Sequence, residues 1–264
     1  MRTGSSPGSP RLEADALRAR DLLERFDRQV RRQPRGDRVE HADGVIRVTD
    51  AGWVGIVWSE LAAADADAVI AREVGRFAGI GPWEWKLYSY DAPGDLAGRL
   101  QAAGFEAGDE ETLLAAELRD LRLDASLPDG VELRDVTDER GVEAFLRVHA
   151  EAFGSPPDTD GRWLLDTVRA GRQAAVVAMA GDRPISAGRV EFYPGTDFAG
   201  LYGGGTVPDW RRRGLFAAAV ARRASLAAER GFACLQVDAV AASRPILERM
   251  GFVSLASTTP FVHP

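Results

Sequence analysis

The stretch Tyr90–Phe105, YDAPGDLAGRLQAAGF, aligns without a gap on Val237–Phe252, VDAVAASRPILERMGF. Asp91 falls on Asp238, Leu100 on Leu247, Gly104 on Gly251 and Phe105 on Phe252. Each stretch reads as the end of a strand, then a helix, then a Gly-Phe ending. The helices expected upstream, AVIAREVGRFAGIG and AVARRASLAAERGF, match in character as well. Any two strand–helix–Gly-Phe units share some of this likeness. The halves also agree in size and element order, which favours duplication. A duplication fixes the architecture before any single residue does: an α/β (α+β) chain of two mixed-sheet units in tandem, each a twisted sheet flanked by helices.

A chain of 264 residues has room for two such units. Its 45% hydrophobic and 28% charged residues are ordinary for a globular protein. A net charge of −7 argues against nucleic acid as a partner and suits a small cationic or neutral molecule. The single cysteine, Cys234, rules out an intrachain disulfide framework and fits a reducing cytoplasm. No apolar run approaches the roughly 18–20 residues of a membrane span, so no membrane partner is expected. The opening MRTGSSPGSPRLEAD lacks the apolar centre of a signal peptide and reads as a flexible lead-in.

Hydrophobic periodicity predicts a charged amphipathic helix over 12–32, with Leu17, Leu22, Leu23, Phe26 and Val30 as its apolar members. Strands follow in GVIRVTD and WVGIVWSE, joined by a turn near Ala51 and Gly52. A helix then runs to Gly79 or Gly81, followed by the strand WEWKLYSY, the helix GDLAGRLQAAGF and the strand TLLAAEL. The polar stretch 119–130, with its Pro-Asp-Gly turn, reads as a linker. Beyond it come the strand VELRDV, two helices, a hairpin turning at Gly181 and Asp182, and the strand FAGLYGGGTV. A long helix, the strand FACLQVDAV, the helix SRPILERMGF and a last strand close the chain. The expected organisation is a lead-in over 1–11, a first unit over 12–118, the linker, and a second unit over 131–264.

Between the glycine-rich strand and the long helix lies TVPDWRRRGLFAAAV, Thr206–Val220. Three arginines at a helix start oppose the helix dipole, which favours negative charge there. They make sense if an anion completes the site. The first four N–H groups of a helix have no internal partner, and Gly214 at the entry lets an anion approach the backbone closely. Arg211, Arg212 and Arg213 add charge around the same point, so the turn is a candidate phosphate or pyrophosphate cradle. A surface turn that happens to be basic is the plainer alternative, and the glycine-rich strand before it and the breaker-free helix after it favour the cradle. The first unit has the acidic SELAAADADA at the corresponding place, so only one half carries such a cradle.

The segment Val207–Ala217 resembles the coenzyme A pyrophosphate loop of the GNAT superfamily of N-acetyltransferases. That loop is usually Arg/Gln-x-x-Gly-x-Gly/Ala after a Val-x-Pro-like lead-in. Here it reads Arg211-Arg212-Arg213-Gly214-Leu215-Phe216 after Val207-Pro208, with Phe216 departing from the small residue. The downstream ILERMGF resembles the family's later helix, and the first unit resembles a degenerate copy, as in tandem members. The resemblance implies that the strands GLYGGGTV and CLQVDAV splay apart and that the arm of acetyl-CoA fills the gap. It implies cofactor contacts from the backbone of Thr206 and Val207 and from Arg211, Arg212, Arg213, Gly214, Leu215, Phe216 and Ala217. Gly203, Gly204 and Gly205 would allow a bulge there. No metal is expected.

Acetyl transfer needs a deprotonated nucleophile, a stabilised oxyanion and a proton for the leaving thiolate. Many relatives place a tyrosine four residues before the Gly-Phe glycine as proton donor. That position is Leu247 here. The remaining candidates are Tyr202, Glu191, Tyr193 and Asp238, with Ser243 either bonding the cofactor or capping its helix. His149 reads as a core residue, His263 as a chain-end residue that could reach the cleft, and Cys234 as a small core residue. The expected activity is transfer of an acetyl group to a primary amine of a small molecule, by a cytoplasmic monomer or homodimer. A non-catalytic acyl-CoA module, a different acyl donor and a hydroxyl acceptor stay open. So does the acceptor, among antibiotics, amino acids, polyamines and peptide N-termini.

Overall fold

The computed structural model describes residues 10–50, 53–154 and 160–264. The lead-in over residues 1–9 and the turn at Ala51 and Gly52 lie outside the described residues. The chain opens with helix α1 (Pro10–Phe26), which continues through a π-helical turn, Asp27–Arg31. The first unit then runs β1 (Arg38–Ala42), β2 (Val45–Asp50), β3 (Trp53–Ser59), α2 (Ala66–Arg76), β4 (Trp83–Tyr88), α3 (Leu96–Ala102), β5 (Glu106–Ala107) and β6 (Glu111–Glu117). The second runs β7 (Val131–Asp135), α4 (Glu139–Phe153), α5 (Gly161–Arg169), β8 (Gln173–Ala180), β9 (Arg183–Phe192), β10 (Phe198–Thr206), α6 (Leu215–Glu229), β11 (Cys234–Ala239), α7 (Arg244–Met250) and β12 (Val253–His263).

The repeat is visible in three dimensions. β3 and β4 pair in parallel, as do β10 and β11. α3 and α7 both end at a left-handed glycine, Gly104 at φ 96° and Gly251 at φ 108°. Only a residue without Cβ takes that conformation at little cost. β1 escaped the sequence reading because RVEHA has no apolar face; it is held by its ladder to β2.

The two expected sheets are joined into one. Among the described residues the strand order is β1-β2-β3-β4-β12-β6-β11-β10-β9-β8-β7. β6, the last strand of the first unit, pairs with β11 from Cys234↔Glu117 to Ala239↔Thr112. β12, the last strand of the second, pairs with β6 along its first half and with β4 along its second, from Thr258↔Tyr88 to His263↔Trp83. Each unit has therefore given its last strand to the other. The connecting segment 119–130 lies against the second unit rather than as a loose tether. Leu118, Leu121 and Leu123 pack on the second unit's core, and Arg122 N–H donates to Met250 O at 2.8 Å.

Helix α1 straps the junction. Leu22 and Phe26 pack in one cluster with Tyr88, Leu113 and Ala115 of the first unit and Phe198 and Cys234 of the second. Arg25 donates to Glu117 at 2.9 Å and to Asp197 at 3.1 Å. Arg31 forms a buried bidentate pair with Asp91 at 2.9 and 3.0 Å and lies over the Tyr88 ring. Cys234 is a buried core residue, its thiol pushed up to about 11 by burial. His263 does not reach a cleft: β12 carries it into the first unit, where it stacks on Trp83 and meets Phe105 edge-on.

The exchange makes a prediction. Residues 131–264 alone would leave β11 and β12 without β6 between them, two open edges over an apolar core. Expressed alone, this segment is expected to be insoluble or to lack a cooperative melt. Co-expressed with residues 1–130 it should co-elute as one folded species on size exclusion. A monodisperse, cooperatively melting 131–264 fragment would contradict this.

Candidate active site

The pairing of β10 with β11 runs from Phe198↔Cys234 to Gly200↔Gln236 and stops there, although β10 continues to Thr206 and β11 to Ala239. The strands part at Tyr202 and Asp238. On its other side β10 is bulged against β9: Tyr202 faces Arg189 and Gly205 faces Ala187, so β10 spends one extra residue. Gly203 in this bulge is left-handed, φ 57°, and its carbonyl is 2.7 Å from His149 Nε2. A Cβ on Gly203 would stand 2.8 Å from the His149 ring, and one on Gly204 would stand 2.9 Å from the Phe216 ring. His149 is thus a core residue with a task, since it anchors the bulge.

The arginine turn follows. Val207 is buried and its N–H bonds Ile185 O at 3.0 Å. Pro208–Trp210 form a short 3-10 turn, Arg212 is left-handed at φ 63°, and Gly214 at φ 82° is the residue before α6. A non-glycine residue in that region is uncommon and marks a backbone held by its surroundings. The three arginines divide. Arg211 donates to Thr206 O at 3.1 Å and to Ala152 O at 2.9 Å, so it clamps the loop onto the end of α4. Arg213 lies over the Trp210 ring at 4.7 Å, and Arg212 and Arg213 are exposed beside the first turn of α6. In that turn the Leu215 side chain is buried, Phe216 and Ala217 are half-buried, and backbone N–H groups point out of the helix start.

Two cavities meet where the strands part. A cleft of about 310 Å³ is bounded by α6, α7 and the bulge, through Phe216, Val220, Arg223, Gly204 and Leu247. A larger cavity of about 1090 Å³ opens toward the first unit, among Trp53, Glu84, Tyr88, Trp163 and Tyr193. Lys86, Tyr202 and Asp238 line both.

At this crossing the predicted residues come together only in part. Tyr202 and Tyr193 hydroxyls are 2.5 Å apart, and Gln236 Nε2 donates to both at 3.2 Å. Burial pushes Tyr202 up to about 12 and Tyr193 well above the usual phenol range. Asp238 Oδ2 accepts from Lys86 Nζ at 2.9 Å, while Asp238 Oδ1 and Gln236 Oε1 are buried without a partner among the described residues. Lys86 also stands 3.5 Å from Glu111, whose carboxyl is pushed up by burial. Glu191 lines the larger cavity but is tied to Arg189. Ser243 does not cap its helix: its hydroxyl donates back to Val240 O at 3.2 Å, and the residue borders the cleft. Leu247 is buried against the cleft, so no phenol stands there.

Lys86, Glu84, Glu111, Gln236 and Arg223 were missed by sequence reasoning. The first three belong to the repeat without the arginine turn, and only the strand exchange brings that repeat to the site. Gln236 alternates with Asp238 on one strand, a signal that was present in LQVDA.

No protein-family model and no curated protein matches the chain. Solved structures do. A GCN5-related N-acetyltransferase from Kribbella flavida superposes with a TM-score of 0.66 at 20% identity, over 95% of this chain and 95% of that one. Another from Sphaerobacter thermophilus gives 0.60 at 14% identity, over 83% and 76%. A tandem GNAT protein from the clavulanic acid biosynthesis pathway gives 0.55 at 13%, over 83% and 77%. The fold is that of the GCN5-related N-acetyltransferases, in a tandem arrangement.

The site's phenols yield a titration test. All four tyrosines, Tyr88, Tyr90, Tyr193 and Tyr202, are held above the ordinary phenol range, in each case chiefly by burial. The unfolded chain releases its phenol protons first, near about pH 10. Stability is therefore intact below that pH and falls as pH rises through it toward 12. Absorbance titration of the native protein is expected to show no phenolate step near about pH 10 for Tyr88, Tyr193 and Tyr202, whose ionisation should appear only together with alkaline unfolding. A native-state step near about pH 10 larger than one phenol, the partly exposed Tyr90, would contradict the buried cluster.

Proposed function

We propose that the protein is an acyl-CoA-dependent N-acyltransferase, with acetyl-CoA as donor and a primary amine of a small molecule as acceptor. The observation that carries this is the parting of β10 and β11 beyond Gly200 and Gln236, directly at the foot of the Arg212–Gly214 turn and α6. The residues present fit coenzyme A. Arg212 and Arg213 with the N–H groups of α6 suit a pyrophosphate. Gly203 and Gly204 line the gap that the pantetheine arm would enter, packed so closely that neither has room for a Cβ, while the Val207 N–H and the Thr206 carbonyl are engaged within the protein. Bound there, acetyl-CoA would supply the thioester that acylates the amine.

The residues at the crossing divide the remaining work. The amine enters from the larger cavity, where Trp53, Trp163 and Tyr88 offer aromatic walls and Glu84 offers a carboxylate, Glu191 being engaged by Arg189. The free Oδ1 of Asp238 takes the proton the amine loses, with Lys86 holding the other oxygen. Tyr202, a phenol at neutral pH, and Tyr193 form a donor pair rather than a base. Holding the two reactants together can contribute several kcal/mol, at most roughly 7–11.

The absence of a phenol at Leu247 favours a second reading, a non-catalytic acyl-CoA module. One experiment separates the two: calorimetry with coenzyme A, and thiol release from acetyl-CoA across a panel of amines. The expected outcome is binding together with amine-dependent release. Binding without release for any amine selects the second reading, and no binding removes both. Arg212→Glu with Arg213→Glu is expected to weaken coenzyme A binding at least about tenfold, the equivalent of about 1.4 kcal/mol. Gly214→Val is the poorer probe, since φ 82° strains any side chain whether or not a ligand binds. Asp238→Asn should lower turnover about tenfold or more with coenzyme A affinity kept, within the usual range for losing a general base. Glu191→Gln should change turnover little.

A further inference from the structure

Arg223 lies two turns into α6, is 1% exposed, and still borders the cleft. Its Nε donates to Ala219 O at 3.0 Å, and its Nη1 donates to Arg189 O at 3.1 Å and Tyr202 O at 3.4 Å. Those last two carbonyls flank the β9–β10 bulge, so the guanidinium replaces ladder bonds that the bulge breaks. One glycine makes room for it: a Cβ on Gly188 would stand 2.7 Å from its Cζ, and its Nη2 lies at ordinary contact distance from Gly204.

Three carbonyls solvate this charge, and none neutralises it. Among the described residues no carboxylate pairs with Arg223; the charge nearest in effect is Arg189, of the same sign. A buried cation without a counter-ion is costly, and replacing it with an apolar side chain is often no loss in stability. Burial and Arg189 lower its pKa to about 9, so it remains a cation at neutral pH. The carbonyls occupy Nε and Nη1, and Nη2 is the edge beside Gly204, on the cleft.

The other charges around the cleft have partners. Lys86 on β4 serves Asp238 on β11 and Glu111 on β6. The Tyr202 hydroxyl on β10 is bonded to Tyr193. On α7, Arg244 pairs with Glu248, and on α4, Glu151 pairs with Arg183. Among the residues that line this cleft, Arg223 is therefore the one cation without an ion-pair partner among the described residues.

We propose that Arg223 is a further catalytic residue, the cation that receives the sulfur of coenzyme A as a thiolate and does the work of the phenol missing at Leu247. The proposal rests on the acyltransferase reading above. In the step it serves, the amine nitrogen bonds to the thioester carbon and the carbon–sulfur bond breaks. The sulfur leaves with the bonding electron pair, and the proton of the former amine passes to Asp238 or to water. No acid then needs to protonate the sulfur within the step. A guanidinium suits this because it stays charged and offers a planar edge of N–H donors. An electrostatic donor set in place beforehand is also the cheapest way to meet developing charge.

The test uses coenzyme A bound to the full chain, with the ultraviolet absorption of the thiolate followed against pH. In wild type the bound thiol is expected to titrate at least about one pH unit below free coenzyme A. In Arg223→Gln it should return to the free value, and in Arg223→Lys part of the shift should survive. A structural role alone would alter affinity or melting without moving this titration. If Arg223→Gln fails to fold, wild type and Arg223→Lys still decide. A wild-type thiol that titrates as free coenzyme A overturns the proposal while leaving the acyltransferase reading standing. An unshifted thiol with a preference for succinyl-CoA over acetyl-CoA overturns it by assigning the cation to a donor carboxylate. Failure to bind coenzyme A at all overturns both.

Discussion

β6 and β12 lie side by side at the centre of the sheet, and neither lies within its own repeat. Everything at the site depends on that exchange. β6 bonds to β11 over six register pairs, and this fixes Gln236 and Asp238 opposite the first unit's strand. β12 in turn bonds to β4, which sets the position of Lys86. The ion pair between Lys86 and Asp238 is therefore a contact between repeats, delivered by backbone ladders rather than by a flexible interface. A ladder is a rigid support, and rigid support is what an acceptor of protons or a binder of anions requires. The buried pair of Arg31 with Asp91 and the α1 cluster fasten the same junction from outside the sheet.

The bulge in β10 is the second constraint. A bulge breaks ladder bonds and leaves carbonyls that need donors. The molecule meets this need with two side chains from different helices: His149 of α4 at Gly203 O and Arg223 of α6 at Tyr202 O. The glycines at the bulge are thus not spare flexibility. Gly203 admits the His149 ring and Gly204 the Phe216 ring without collision, and Gly188 on β9 does the same for Arg223. The same packing that holds the bulge brings a positive charge to the edge of the cleft. Structure and electrostatics at this point come from one arrangement.

Much of this was legible in the sequence. The repeat, the order of strands and helices, the hairpin at Gly181 and the arginine turn before α6 are local patterns, and local patterns survive in a linear string. What was not legible is what depends on which strand pairs with which. Nothing in TLLAAEL or SLASTTPFV says that each will leave its own unit, because a buried strand presents the same apolar run to any neighbour. Hence Lys86 and Glu111 went unread, and so did the place of His263, a chain-end residue that β12 packs against Trp83 and Phe105. The arginines show a finer limit. Arg211, Arg212 and Arg213 are identical in the string, and only the left-handed backbone at Arg212 separates the one that clamps α4 from the two left at the helix start.

The aligned aspartates of the two repeats show how one scaffold serves two ends. Asp91 is saturated: both its oxygens accept from Arg31, and Oδ2 also accepts from the Tyr88 N–H. Asp238, aligned with Asp91 but still within its parallel strand β11, accepts only from Lys86 and keeps Oδ1 free among the described residues. The difference arises upstream. In the first unit α1 passes over the strand end and seals it with Arg31. In the second unit the corresponding space is the cleft opened by the glycine bulge and the arginine turn. A carboxylate with every lone pair engaged is a structural clamp; one with an oxygen left over in a cleft can take a proton. The two repeats carry the same aspartate, and the strap laid over one of them accounts for which copy keeps an unpartnered oxygen at the cleft among the described residues.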